Sequence, residues 1–339
     1  MASINEVAAL AGVSKATVSR TVNNTGYVSE KTRKKIEKVI DEIGYVPSAS
    51  AVSLSKGVTN GIGVIVPEID NTFYGDVLRG IIDEANKSDI QLFFYDTGND
   101  AKKEKETLRI IARQQLLGLI IAPSVDYAVD EESREIVNII DRLDIPTVIV
   151  DRDFENIHWD GVFFENVKSV YAATEELIKA GNRRIGVITG GKKLKISRDR
   201  YQGFVQAMAD NGLEVRACDV LEGDFFTDTA YQLSKKMFET GDYPDAMVTC
   251  NNRTSVGLLM AMNEYGIKIG KDIAVIGIDK LPVLAEAGFP FSCVSRNNQE
   301  MGTIAMQLVL DRIENRNSSR KMCMVSYNVE LVGSEKRKK

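Results

Sequence analysis

Histidine occurs once in this sequence, tryptophan once and cysteine four times. With His158 alone, no nucleophile–base pair and no Cys/His metal spacing can be assembled. Cys218, Cys250, Cys293 and Cys323 are scattered and form no CxxC, which points to the reducing cytoplasm. No run of ~18 apolar residues is present, so no membrane span is expected. The opening MASINEVAAL lacks the basic and apolar regions of a secretory signal. The stretch GVITGGKK, Gly186 to Lys193, comes near a phosphate-binding loop. It fails because Lys193 stands where a magnesium-holding Ser or Thr is needed. Gly61-Ile62-Gly63 lacks the third glycine of a dinucleotide site and precedes its strand. The chain is therefore expected to have no catalytic residue, no metal and no cofactor, and not to be an enzyme.

At ~150 residues per domain, 339 residues make about two domains with something small attached. Hydrophobic residues at 44% and charged residues at 27% describe a globular chain with a large core. The net charge of -5 is unevenly spread. Residues 1–57 hold eight basic and five acidic residues, whereas the remainder holds 35 and 43. A small basic head on an acidic body hints at nucleic-acid binding.

The head reads as three short helices. Ser3 and Glu6 fit a capping box, with Val7 and Leu10 expected inward. Ala11-Gly12-Val13 makes a break. Ser14 can cap a second helix, Lys15 to about Asn23, that buries Val18 and Val22. Ser29 can cap a third, Lys31 to Ile43, with Ile36, Val39, Ile40 and Ile43 on one face and Gly44 ending it. Two helices joined by a tight glycine turn and closed by a third form a helix-turn-helix. The second helix then leaves Ser14, Lys15, Ala16, Thr17, Ser19 and Arg20 outward. Lys and Arg can read guanine edges, hydroxyls suit phosphates, and Ala16 can meet a thymine methyl. Any one of them alone is an ordinary solvated helix residue.

The run INEVAALAGVSKATVSRTVNNTGYVSEKTRKKIEKVIDEIGYVPSASAVSLSKG resembles the DNA-binding head of the lactose/galactose repressor family, and the resemblance continues through nearly the whole chain. It implies that Lys15, Ala16 and Arg20 read bases, with Ser14, Thr17 and Ser19 near phosphates. It implies too that VPSASAVSLSKG, a linker on composition, becomes a hinge helix on DNA, with Ala51 and Leu54 at the minor groove. Ser48 and Val52 depart from the family's usual Asn and Arg.

From Gly61 onward, strand-like runs alternate with amphipathic helices: GIGVIVP, QLFFYD, GLIIAP, PTVIVD, DGVFFE, RIGVIT, AMVTC and IAVIGID. This order implies parallel sheets covered on both faces. The expected fold is a small all-α helix-turn-helix head plus an α/β body of two doubly wound parallel-sheet lobes, of the periplasmic-binding-protein kind that the resemblance implies. The expected division is 1–45 for the head and 46–57 for the hinge. The N-terminal lobe takes 58–158 with 293–320, and the C-terminal lobe 159–292 with 321–334.

Ligands in such folds bind beyond the carboxyl ends of strands. Polar residues stand at several of those ends: Asp70 and Asn71, Asp151 and Arg152, Asn251 and Asn252, and Asp279, with Arg200 at the start of a helix. Carboxylates, amides and a guanidinium fork suit vicinal hydroxyls, and Phe73, Tyr74 and Phe225 can cover apolar ring faces. One such residue is more often a helix cap than a ligand. Five sets together read as a site. The resemblance carries a sugar site onto Asn71, Phe73, Asp151, Arg152, Arg200, Asn251 and Asp279.

Two departures stand out. Asn252 replaces a carboxylate, and Arg296-Asn297 replaces the family's common Gln-Pro. Arg296 favours an acidic or phosphorylated sugar, helped by Lys193 and Lys195. The alternative is an ion pair of Arg296 with Asp279 or Asp151 and a neutral effector. The chain thus reads as a regulator, a repressor of carbohydrate-use genes, controlled by a sugar-like effector. It would bind a near-palindromic operator as a homodimer, since the tail after Val332 is too short for a heptad coil. A protein co-effector remains open. A transport-type sugar-binding protein fits the body but not the head.

Overall fold

The computed structural model describes residues 2–23, 25–45, 59–88, 90–129 and 131–337. The expected hinge contacts Ala51 and Leu54, with Ser48 and Val52, lie outside these residues. The described residues of 1–60, with 114–117, form one compact unit and the rest form another.

The head contains α1 (Ile4–Ala11), α2 (Lys15–Val22) and α3 (Glu30–Ile43). Each starts at a serine whose hydroxyl accepts a backbone N–H: Ser3 from Glu6, Ser14 from Thr17 and Ser29 from Thr32. Gly12 and Gly44 end α1 and α3 in the left-handed conformation, at φ 62° and 61°. Val7, Ala8, Ala11, Val18, Ile36 and Val39 form the core. Leu10 was expected inward, yet it is 56% exposed. In an eight-residue helix one narrow face suffices, and Val7, Ala8 and Ala11 already occupy it. Val22 is only half-buried, with Thr21 buried beside it.

The body holds two six-stranded sheets. The first contains β1 (Gly61–Val66), β2 (Gln91–Asp96), β3 (Gly118–Ile121), β4 (Thr147–Val150), β5 (Asp160–Phe164) and β11 (Met322–Val325), in the order β11-β5-β4-β3-β1-β2. All its pairs are parallel; Val64, for example, lies opposite Phe94 and Ile120. The second contains β6 (Ile185–Thr189), β7 (Val220–Glu222), β8 (Ala246–Thr249), β9 (Ala274–Ile278), β10 (Ser292–Arg296) and β12 (Tyr327–Glu330). Its order is β12-β10-β9-β8-β6-β7, with only β12 antiparallel. The central strands are buried along their whole length, as sheets covered on both faces require.

The helices between strands are α4 (Thr72–Ala85), α5 (Ala101–Gln114), α6 (Glu131–Leu143), α7 (Asn166–Lys179), α8 (Lys195–Asp210), α9 (Thr227–Glu239), α10 (Asn252–Glu264), α11 (Pro282–Glu286) and α12 (Asn298–Glu314). α4 and α12 cross almost backbone to backbone. A Cβ on Gly80 would lie 2.0 Å from the Gln299 carbonyl oxygen, and one on Gly302 would lie 1.9 Å from that of Val77. That crossing returns the late helix α12 to the first lobe.

The lobe boundaries differ from the expected ones. β5 belongs to the first sheet, not to the C-terminal lobe. β10 belongs to the second sheet, not to the N-terminal lobe, and β11 belongs to the first sheet. The chain therefore crosses between lobes after β5, after β10 and after β11. Periodicity identifies a strand but does not say which sheet it joins. β11 and β12 are four residues each, separated by Ser326 alone, yet they enter different sheets.

Candidate functional site

On α2, Ser14, Lys15, Ala16 and Arg20 are exposed, and Thr17 and Ser19 are half-buried. Val18 and Thr21 turn inward. The hydroxyls of Ser14 and Thr17 lie 2.8 Å apart, at the N-terminal end of the helix. One face thus carries two cations, three hydroxyls and a methyl, held rigidly from below by the three-helix core.

The second cluster lies between the lobes, where strand ends from both sheets meet. Glu68, Asn71, Phe73, Tyr74, Asp151, Arg152, Ile196, Arg200, Phe225, Asn251, Asn252, Asp279 and Arg296 enclose a cavity of about 30 Å³. Every effector residue expected from sequence lines it. Glu68, Ile196 and Asn252 line it too.

Several of these side chains serve as helix caps as well. Asn71 caps α4 through its Oδ1, which accepts the Phe73 N–H at 3.0 Å. Asn251 closes a capping box on α10 and donates to the Phe225 carbonyl at 3.0 Å. The cap reading and the site reading therefore hold together.

Asp151, Phe225 and Asp279 have φ of 64°, 73° and 75°. Left-handed backbone is tolerated by Asp but unfavourable for Phe, and such strain clusters at functional sites. The Phe225 ring reaches its place only because residue 190 is glycine: a Cβ there would meet ring atoms at 2.3 Å.

The charged groups are densely paired. Tyr74 donates to Asp151 at 3.1 Å, and burial holds its phenol well above the usual tyrosine value. The Arg152 guanidinium donates to Asn99 at 2.6 Å and to the Pro123 carbonyl at 3.0 Å. Arg200 is buried, donates to Asn166 at 2.9 Å and to the Cys250 carbonyl, and lies 5.6 Å from the Phe225 ring centre. Burial lowers its pKa, and the nearby Arg296 lowers it further. Among the described residues, neither Arg152 nor Arg200 has a carboxylate oxygen within 4.0 Å.

Arg296 has one. Its Nε and Nη2 donate to the two oxygens of Asp279 at 2.7 and 2.6 Å, and Asp151 lies 3.5 Å from Nη1. Arg296 thus forms the ion pair, with Asp279 and more loosely with Asp151, and its cation is not free to meet an anion. Lys195 is likewise tied, to Asp153 at 2.8 Å and Asp199 at 2.5 Å, and Lys193 is exposed away from the cavity wall.

Further contacts join the lobes around the rim. Asn252 donates to Asn71 at 2.8 Å and Thr72 at 2.9 Å. Arg253 meets Glu68 and Asp70, each at 2.6 Å, and Arg198 meets Asp126 at 2.8 Å. Burial raises the Glu68 carboxyl while Arg253 opposes it. In the glycine loop before α8, the Lys192 N–H donates to Glu222 at 3.2 Å.

Comparison with known proteins gives the family of both regions. Residues 3–48 match the model of bacterial regulatory proteins of the lacI family. Residues 59–330 match the model of periplasmic binding proteins and the sugar-binding domain of the LacI family. The chain belongs to the LacI family. It is a DNA-binding transcription regulator, not an enzyme. The HTH-type transcriptional repressor PurR of Vibrio atlanticus is 31% identical over 95% of each chain. The ribose operon repressor of Haemophilus influenzae is 28% identical over 94% of each. The lac repressor dimer bound to operator and an anti-inducer superposes with a TM-score of 0.82 at 22% identity, covering 97% of this chain and 98% of that one. That likeness concerns the fold, a head followed by a two-lobed α/β body.

Within the LacI family frame, sequence reasoning missed Phe164, whose ring lies 6.4 Å from that of Phe73 and 4.3 Å from the Arg296 guanidinium carbon. Its signal was its place at the end of the DGVFFE strand, hidden once β5 was assigned to the other lobe. His158 is exposed, 2.7 Å from Asp141, and stacks on Trp159.

Proposed function

We propose that this LacI-family regulator is a repressor that binds a near-palindromic operator as a homodimer. Each α2 lies in a major groove, with Lys15, Ala16 and Arg20 at base edges and Ser14, Thr17 and Ser19 at phosphates. Ala51 and Leu54 of the hinge meet the minor groove. The observation that supports this best is the outward face of α2: two exposed cations, a methyl and hydroxyls on one capped helix. The test is operator binding by fluorescence anisotropy against salt. Affinity should fall steeply as salt rises, with slope ~0.9 per phosphate neutralised. A flat salt response would sink the reading.

The second subunit is expected on α10. Val256 and Met260 are exposed there and, with Leu281, Pro282, Val283 and Leu284, line a largely apolar hollow of about 590 Å³. Val283→Asp with Met260→Asp should turn a dimer into a monomer in sedimentation. A dimer unchanged by both would place the interface elsewhere.

The effector is a sugar-like molecule held between the lobes by Asn71, Phe73, Tyr74, Asp151, Arg152, Arg200, Phe225, Asn251 and Asp279. Three carboxylates, Glu68, Asp151 and Asp279, balance three guanidinium groups, Arg152, Arg200 and Arg296, which favours a neutral polyol. An acidic or phosphorylated sugar is the second reading. It is supported by Arg152 and Arg200 having no carboxylate within 4.0 Å among the described residues. Melting temperatures against matched sugars, sugar acids and sugar phosphates separate the two, since a ligand preferring the folded state raises the transition. Stabilisation by anionic ligands alone, lost in Arg200→Gln, selects the acidic effector.

A further inference from the structure

Arg296 sits at the end of β10 with its side chain only 2% exposed. Its guanidinium carbon lies 4.5 Å from the Phe73 ring centre and 4.3 Å from that of Phe164. The two rings are tilted 61° to each other with centres 6.4 Å apart, so the cation sits in the corner of two aromatic faces, a favourable use of their quadrupoles. Both Asp279 oxygens accept from it in a planar fork. Its Nη1 and the Asp151 Oδ1 are both buried and make no hydrogen bond. The space left beside it, about 30 Å³, has room for only one or two waters. Small-molecule sites commonly offer ~300 Å³ or more.

We propose that Arg296 is a built-in occupant of the effector cleft: it takes, on Asp279 and in the corner of Phe73 and Phe164, the position of an effector. An effector must then displace this guanidinium. Arg296 becomes the residue that sets specificity, because the incoming molecule has to satisfy Asp279 with two donors and cover the Phe73 and Phe164 faces with apolar surface. Molecules lacking the paired donors leave Asp279 buried and unmatched, which is costly. Nη1 and the Asp151 Oδ1 face each other at 3.5 Å without hydrogen-bond geometry, and that loose contact marks where the internal occupant fits less well than a true ligand would. This inference rests on the cleft being the effector site.

The experiment is chemical rescue in the full chain. Arg296→Ala empties the slot, and methylguanidinium is the probe, with urea and tetramethylammonium as shape and charge controls. The melting temperature of Arg296→Ala should fall below wild type. It should then rise saturably with millimolar methylguanidinium, by about 3 °C at ten times Kd. Neither control should raise it, and wild type should not respond. Arg296→Gln, a milder change, should respond to guanidinium itself with the same sign and a smaller shift, and it decides the matter if the alanine chain does not fold. No response in the variants, or an equal response in wild type, overturns the proposal. No sugar is needed for this readout, so a mistaken effector class leaves it intact, and its failure leaves the sugar titrations standing.

Discussion

Arg20 on α2 and Arg296 in the cleft are the same residue type put to opposite uses. Arg20 is exposed on a helix whose underside is a small apolar core. Arg296 is buried, forked onto Asp279 and stacked on two rings. In the head, cations stay solvated until a polyanion arrives, so their worth lies in binding and varies with salt. In the cleft, each buried cation is held by a carboxylate or by neutral oxygens of the protein, so its worth lies in the fold and in what may enter the cleft. A regulator needs both: a surface that waits for DNA, and an interior whose polar balance a small molecule can disturb.

The largest effect expected from this contrast is in the body. Asp279→Asn keeps a residue type that tolerates φ of 75° but removes the charge facing Arg296. Breaking a buried pair from one side costs about 3 kcal/mol or more. Calorimetry should show the body transition falling by several degrees. A negligible shift would mean that Asp151 alone neutralises Arg296.

Next comes Arg20→Ala. It should weaken operator binding by ~1–3 kcal/mol, reduce the salt slope, and leave the body transition unmoved. A change in body stability would show that the two regions are not separable in this way.

Ser29→Ala removes the hydroxyl that accepts the Thr32 N–H at 3.3 Å. The head should lose ~1 kcal/mol of stability, seen as earlier loss of helical signal, with effector titrations unchanged.

The subtlest effect concerns Glu104 in the body. It is fully buried and accepts from the Tyr127 hydroxyl at 2.6 Å and the Ser124 N–H at 2.7 Å. Burial raises its pKa above the ordinary carboxylate value. The folded chain therefore holds this proton more tightly than the unfolded chain. The stability it contributes is full in acid and is lost as pH rises through the folded value. Glu104→Gln should flatten that dependence, so its melting temperature should gain on wild type as pH rises above the ordinary carboxylate value. A parallel pair of pH curves would contradict the assignment.

The two regions also differ in how far they could be read before any coordinates. Head features are local. Ser3, Ser14 and Ser29 lie within three residues of the N–H groups they cap, and Gly12 and Gly44 end helices by their own backbone freedom. Leu10 was misjudged because the apolar spacing of α1 does not say how wide a face three short helices can cover. In the body, Asn71, Asp151, Asn251 and Asp279 were legible because a polar residue after an apolar strand marks a strand end. Phe164 and Glu68 were not, since nothing near them in the chain shows which strands face one another.

The order of residues by itself determined the kinds of element, the family, the outward chemistry of α2 and the polar strand ends. These depend on spacings of a few residues, where the chain's own geometry is enough. Only the tertiary structure decided that β5 and β11 join the first sheet and β10 the second. It also decided that Arg296 turns inward between Phe73 and Phe164. Those outcomes depend on which surfaces meet after the chain has crossed between lobes three times. The partner of a buried charge is chosen by that meeting, because a buried charge with no hydrogen-bond partner is costly.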